Sequence, residues 1–121
     1  MDKYIDCSKV YVDNGYLGLG VFAKKDFKEG EIIEKGLLEI IKGVDGNINP
    51  HLFTWSDDRK TWASGSGCLP YYNHSDNPNI IKKSNLDKNT MEIFALKDIP
   101  KGTELRNKYF SKKWRTCFQD F

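Results

Sequence analysis

Three stretches of this chain carry residue types that chemistry uses. The first is Asn73 to Asn79, reading Asn-His-Ser-Asp-Asn-Pro-Asn, behind Tyr71 and Tyr72 and ahead of Ile80 and Ile81. Asn, Asp, Ser and Pro favour turns because their side chains bond nearby backbone or fix φ. One turn needs only two or three of them, so a polar knuckle of this length between apolar flanks predicts a loop held in place for function. The second is Gly15 to Gly20, Gly-Tyr-Leu-Gly-Leu-Gly, which runs into Val21-Phe22-Ala23. Glycines let backbone N–H groups come close to a ligand, because no Cβ intervenes. The third is Glu104 to Phe110, which carries the phenol of Tyr109.

Each stretch excludes some chemistries. Phosphate-loop and dinucleotide motifs do not fit the glycines: the spacing is wrong, no Lys-Ser/Thr follows, and a strand rather than a helix comes next. Alone, such a stretch is most often a plain glycine turn. His74 and Ser75 are adjacent, so on an extended chain they point apart and make a poor nucleophile and base. His74 as a metal ligand has only His51 to join it among histidines. A turn histidine held by its backbone, presenting main-chain groups to a ligand, fits better. By composition Tyr109 is no better placed for catalysis than Tyr72, since most tyrosines of a β domain line the core or its rim.

The elements that position these residues are short. At 121 residues the chain predicts one domain over 1–121 with a real core. Its 39% apolar and 13% aromatic content is that of a soluble globular protein. With 19 basic and 17 acidic residues interspersed, it lacks the basic face expected of a nucleic-acid binder, while a basic peptide or protein partner is tolerated. No apolar run reaches the roughly 20 residues that span a bilayer, and Met1-Asp2-Lys3-Tyr4 opens no secretory signal. Cys7, Cys68 and Cys117 are odd in number and far apart, which predicts an intracellular, metal-free protein.

Glycines and prolines punctuate segments rich in Val, Ile, Phe and Tyr, which predicts a mostly β protein. Strands are expected near Lys9–Val12, Gly20–Lys24, Glu31–Lys35, Leu37–Lys42, Ile80–Ser84 and Thr90–Leu96. Ile80 to Leu96 reads as a hairpin over a polar connector, Asn85 to Asn89. Asp45-Gly46 marks a tight turn. The best helix candidate is the short Lys112–Phe118. Two similar phrases recur, Lys25-Asp26-Phe27-Lys28-Glu29-Gly30-Glu31 and Lys97-Asp98-Ile99-Pro100-Lys101-Gly102-Thr103-Glu104. They read as a pair of strand-turn-strand corners, with Gly30 and Gly102 giving the reversal its backbone freedom.

Taken in order, the three stretches resemble the SET domain of protein lysine methyltransferases. Gly18-Leu19-Gly20-Val21-Phe22-Ala23 is similar to the family's opening motif. Tyr72-Asn73-His74-Ser75-Asp76-Asn77-Pro78-Asn79 is similar to its central signature almost throughout. Ile99-Pro100-Lys101-Gly102-Thr103-Glu104-Leu105 with Tyr109 resembles its closing one. The likeness covers about residues 16 to 115, and the minimal viral SET proteins are nearest in size.

The resemblance implies a β-clip fold of several small sheets with little helix, its C-terminal segment threaded through a loop beside the Asn-His-Ser strand. It implies S-adenosylmethionine against Gly18, Leu19 and Gly20, with Asn73 holding its amino-acid end, the His74 backbone at adenine, and Trp114 covering the ring. It implies Tyr109 as the catalytic residue, touching the donor and ending a channel for the ε-amine of a lysine in a histone tail or another host protein. His51, Tyr72 and Asn107 would line that channel. A homodimer is compatible with the likeness to the viral members. Asn107 and Lys108 stand where the family usually has a bulky apolar or aromatic residue and an acid. These departures support an alternative, a catalytically decayed SET-like module that binds a peptide or protein. A third reading is a β-rich structural protein that shares only corners with this fold.

Overall fold

The first strand pair forms where the sequence alternates and then turns on glycines. In the computed structural model, which describes residues 4–41, 52–54, 62–85 and 87–108, β1 (Val10–Gly15) and β2 (Gly18–Ala23) make a hairpin in continuous register from Val10↔Ala23 to Gly15↔Gly18. Gly18 closes it at φ +94°, a region L side chains rarely adopt. Alternation puts Val10, Val21 and Ala23 inward, each buried, and Tyr11 and Phe22 outward, their rings stacked at 5.6 Å.

A second sheet is built on β3 (Ile32–Ile41), joined by β4 (Leu52–Thr54), β5 (Trp62–Gly65), β7 (Ile80–Asn85) and β8 (Thr90–Ala95), in the order β4-β5-β3-β8-β7. The expected hairpin is there as β7 and β8, paired from Ile80↔Ala95 to Asn85↔Thr90, with Asn89 at φ +52° in its turn. The expected strands at Glu31–Lys35 and Leu37–Lys42 are instead one strand, β3. Gly36 does not break it, because the buried glycine leaves room for the Leu69 side chain, which a Cβ there would strike. Leu69 belongs to a 3-10 turn, Leu69–Tyr71, entered through Gly67 at φ +54°.

The polar knuckle is partly strand, as the resemblance implies and its turn residues alone do not. Its first two residues form a strand, β6 (Asn73–His74), parallel to β9 (Glu104–Asn107), in a sheet ordered β1-β2-β9-β6. The core between the sheets takes Val21, Ala23 and Leu105 from one side and Ile33, Leu38, Ile80, Met91, Ile93 and Ala95 from the other. Val10, Phe27, Leu69, Tyr72 and Ile99 complete it. The chain is mostly strand with very little helix among the described residues.

The two recurring phrases meet as a reciprocal clasp. Phe27 and Ile99 exchange backbone hydrogen bonds of 2.8 Å in both directions. Gly30 N–H donates to the Ala95 carbonyl and Gly102 N–H to the Ala23 carbonyl, each at 2.8 Å. The Asp98 carboxylate accepts the Glu29 N–H at 2.9 Å, and the Asp26 carboxylate accepts the Lys101 N–H at 2.7 Å. Gly30 and Gly102 sit at φ +84° and +86°. Each corner thus satisfies the backbone of the other, and together they bring β9 beside β2.

Asp45-Gly46, Lys112–Phe118 and the C-terminal threading fall outside the described residues. No helix among the described residues is long and apolar enough to cross a membrane.

Candidate active site

The sheet order carries the three sequence stretches to one place. β9 lies between β2 and β6, so the glycine hairpin, the Asn-His strand and the closing segment are adjacent. Val21 pairs with Leu105 and Phe22 with Glu104 on one side of β9, and Asn73 pairs with Arg106 and His74 with Asn107 on the other. Side chains of paired residues share a face. One face is core. The other carries Gly15, Gly18, Gly20, Asn73, Glu104 and Arg106.

Glu104 occupies the middle of that face, its side chain 7% exposed. One oxygen accepts the Asn73 side-chain amide at 2.8 Å. The other accepts the Tyr16 N–H at 3.3 Å and the Arg106 guanidinium at 2.9 Å. The carboxylate explains two of the glycines. A Cβ on Gly15 would stand 2.5 Å from its Oε2, and one on Gly20 would collide with it outright. A Cβ on Gly18 would meet nothing within 4 Å. Of the three glycines, Gly18 alone leaves its side of the hairpin open, and Gly15 and Gly20 make room for an acid.

Asn73 is 8% exposed. Its amide also donates to the Leu19 carbonyl at 3.3 Å. Both donors are thus spent within the site, while its carbonyl oxygen Oδ1 has no partner among the described residues. A buried acceptor left unpaired is costly, and such an atom marks a place where a ligand donor would be welcomed. Asn79 holds β9 from the same side as β6. Its side chain donates to the Glu104 carbonyl at 2.9 Å and accepts the Arg106 N–H at 2.8 Å.

Arg106 lies over the Tyr16 ring, 3.6 Å from its centroid. Burial raises the Tyr16 hydroxyl pKa, opposed by the Arg106 charge and reinforced by Glu104 and Asp76. His74 is buried, its Nε2 3.0 Å from the exposed Asp76 carboxylate. Asn107, half-buried, offers its carbonyl to the Ser75 N–H at 2.9 Å.

Tyr72 is paired with an acid of the second sheet. It is 1% exposed, and its hydroxyl donates to Glu34 at 2.7 Å. Glu34, equally buried, enters the core at a bulge in β3 and also accepts the Cys68 N–H at 2.9 Å. Burial pushes the Glu34 carboxyl above the usual glutamate range against the pull of those donors. The same burial, with the Glu34 charge, raises Tyr72 well above a free phenol and Cys68 to about 11.

The fold therefore brings Gly18, Gly20 and Asn73 to one face, with Leu19, His74 and Asn107 on the other side of the same adjacent strands. Tyr109, Trp114 and His51 lie outside the described residues. Sequence reasoning passed over Glu104, Arg106, Tyr16 and Asn79. All four stood within the three stretches, but none was given a role, because a single glutamate or arginine in a chain that is 30% charged draws no notice.

Comparison with known proteins bears on the fold. The family model of the SET domain matches residues 18–110. A Plasmodium falciparum protein assigned as a histone methyltransferase superposes with TM-score 0.69 at 29% identity, over 84% of this chain and 97% of that one. A humanized mutant of the Chaetomium thermophilum Polycomb Repressive Complex 2, bound to an inhibitor, gives TM-score 0.71 at 28% identity over 88% of this chain. The same complex in an autoinhibited conformation, bound to S-adenosylmethionine, gives 0.70 at 26%. In these two the match spans 15% and 16% of the larger chain. No curated protein sequence matches.

Proposed function

The chain belongs to the SET-domain family, and from that premise we propose that it transfers methyl groups from S-adenosylmethionine to the ε-amine of lysine in a protein substrate. The observation that carries the reading is the meeting of the glycine hairpin, Asn73 and the closing strand on one face of one sheet. The residues present fit the donor. Asn73 Oδ1 is a buried acceptor with no donor among the described residues, and a Cβ on Gly18 would meet nothing within 4 Å.

S-adenosylmethionine would supply an activated methyl group on its sulfonium. The chain's part is to bind, orient and exclude water. The main chain of Gly18, Leu19 and Gly20 and the Asn73 side chain would hold the amino-acid end, and the His74 backbone and Trp114 the adenine. Transfer to an amine needs a neutral nitrogen in line with the methyl, with no protein nucleophile. Tyr109 would orient that nitrogen, and the donor's positive charge beside it would lower the lysine pKa. His51, Tyr72 and Asn107 are the proposed channel residues. Histone tails, another protein and a homodimeric state all stay within this reading.

The test is calorimetric binding of S-adenosylmethionine, followed by methyl transfer to a panel of proteins and peptides. Tyr109→Phe is expected to keep the fold and donor binding and to lose most turnover. Undiminished methylation by that variant removes Tyr109 from the catalytic role. A second reading is favoured by Asn107 and the exposed Lys108 in place of the usual bulky residue and acid. It is a module that binds its partner without turnover, and donor binding with no transfer to any substrate would select it.

A further inference from the structure

We propose that Arg106 is the group that recognises the carboxylate of the methyl donor, with Tyr16 as the platform that holds it in place. The inference rests on the donor reading above and concerns this chain's own side chain. The guanidinium offers five N–H donors in a rigid fork suited to a carboxylate. Its Nε and one terminal nitrogen are turned to Glu104 Oε1, at 3.3 Å and 2.9 Å. Its flat face lies on Tyr16. The other terminal nitrogen, Nη1, has no partner among the described residues, and the side chain is 35% exposed. Stacking below and an ion pair at one edge fix the plane while leaving the far edge free to donate.

Position selects the ligand group. Arg106 is the parallel partner of Asn73, so the two share a face about 5 Å apart. Asn73 Oδ1 is a buried acceptor with no donor among the described residues. An α-amino acid carries an ammonium and a carboxylate on one carbon. With its ammonium at Asn73 Oδ1, its carboxylate reaches toward Arg106. Charge agrees as well: Glu104 and Arg106 cancel, so an unpaired anion is poorly matched here, whereas a zwitterion sets its ammonium near the acid and its carboxylate at the base.

The experiment compares S-adenosylmethionine with decarboxylated S-adenosylmethionine by calorimetry, in the wild type and in Arg106→Met. The wild type is expected to prefer the carboxylate-bearing compound by roughly ten- to a hundredfold, the worth of a charge-assisted hydrogen bond. Arg106→Met is expected to bring that ratio near unity by weakening the carboxylate-bearing compound alone. A second measurement needs no variant: the Arg106 guanidinium NMR signals of the wild type should move on titration with S-adenosylhomocysteine and stay in place with its decarboxylated counterpart. An unchanged ratio in the variant, or unmoved guanidinium signals with S-adenosylhomocysteine bound, overturns the Arg106 assignment and leaves the donor site standing. A wild type that binds none of these compounds overturns both.

Discussion

The Glu104 carboxylate accepts the Asn73 side-chain amide at 2.8 Å, and with that bond the closing strand locks the polar knuckle to the glycine hairpin. The acid is nearly buried and serves three separate stretches through Asn73, Tyr16 and Arg106. Glu104→Ala is expected to lower the unfolding free energy by about 2–4 kcal/mol, because Asn73 loses an acceptor and Arg106 its counter-ion. Glu104→Gln keeps an oxygen for Asn73 and should cost less. Urea unfolding of both variants measures the order, and a Glu104→Gln protein as stable as the wild type would show that the charge contributes nothing.

Gly20 and Gly18 separate space from backbone freedom. Gly20→Ala drives a Cβ into the Glu104 carboxylate and to 2.9 Å from the Asn73 amide. It should cost about 1–3 kcal/mol and weaken donor binding, as overpacking does. Gly18→Ala meets no atom and suffers only the positive φ, about 1 kcal/mol. Combining Gly20→Ala with Glu104→Ala should cost less than the sum, because the shorter residue removes the clash. Strict additivity in thermal unfolding would place the strain elsewhere.

Glu34 sets a pH dependence of stability. Burial holds its folded pKa above the unfolded 4.5, so the native state binds the proton more tightly. The stability this confers is complete below 4.5 and is lost as pH rises through the folded value. Glu31 acts oppositely: its hydrogen bond from Lys25, first among its causes, lowers its pKa, and its contribution fades as the solution is acidified. Glu34→Gln should flatten the decline of the urea midpoint above pH 4.5 while leaving the acid limb intact. A midpoint profile unaltered by the substitution would remove Glu34 as its source.

Asn79 acts as an extra piece of strand beside β9. Asn79→Ala strips partners from the Glu104 carbonyl and the Arg106 N–H, at a cost of about 2–3 kcal/mol. Asn79→Asp keeps the acceptor for Arg106 but sets a carboxylate oxygen against the Glu104 carbonyl. Hydrogen exchange at the Arg106 amide should therefore quicken strongly in the alanine variant and less in the aspartate one. Uniform quickening over the whole chain would mean that global unfolding, not this contact, had changed.

The hairpin of β7 and β8 was legible because alternation and a polar turn are local signals. So were the two corners, from their repeated wording, although their embrace was not. What escaped notice depends on contacts distant in sequence. Two residues of β6 have no pattern of their own and become strand only when β9 lies beside them. Gly36 looked like a break until Leu69 filled the place of its missing side chain. Gly15 and Gly20 read as a cradle for a ligand, yet an acid from the far end of the chain rests on them. Tyr72 gives its hydroxyl to Glu34, a bond across 38 positions that no local pattern announces.

The span between Tyr16 and Glu104 also bears on how the molecule is made. A ribosome finishes the glycine hairpin many seconds before it delivers the acid that hairpin awaits, at about 5–20 residues per second. Until then the nascent hairpin has gaps in its packing and no hold on Asn73. Chains that stop short of Glu104 lack the contact that joins Asn73 to the hairpin, so the face on which the three stretches meet closes only once β9 has been made.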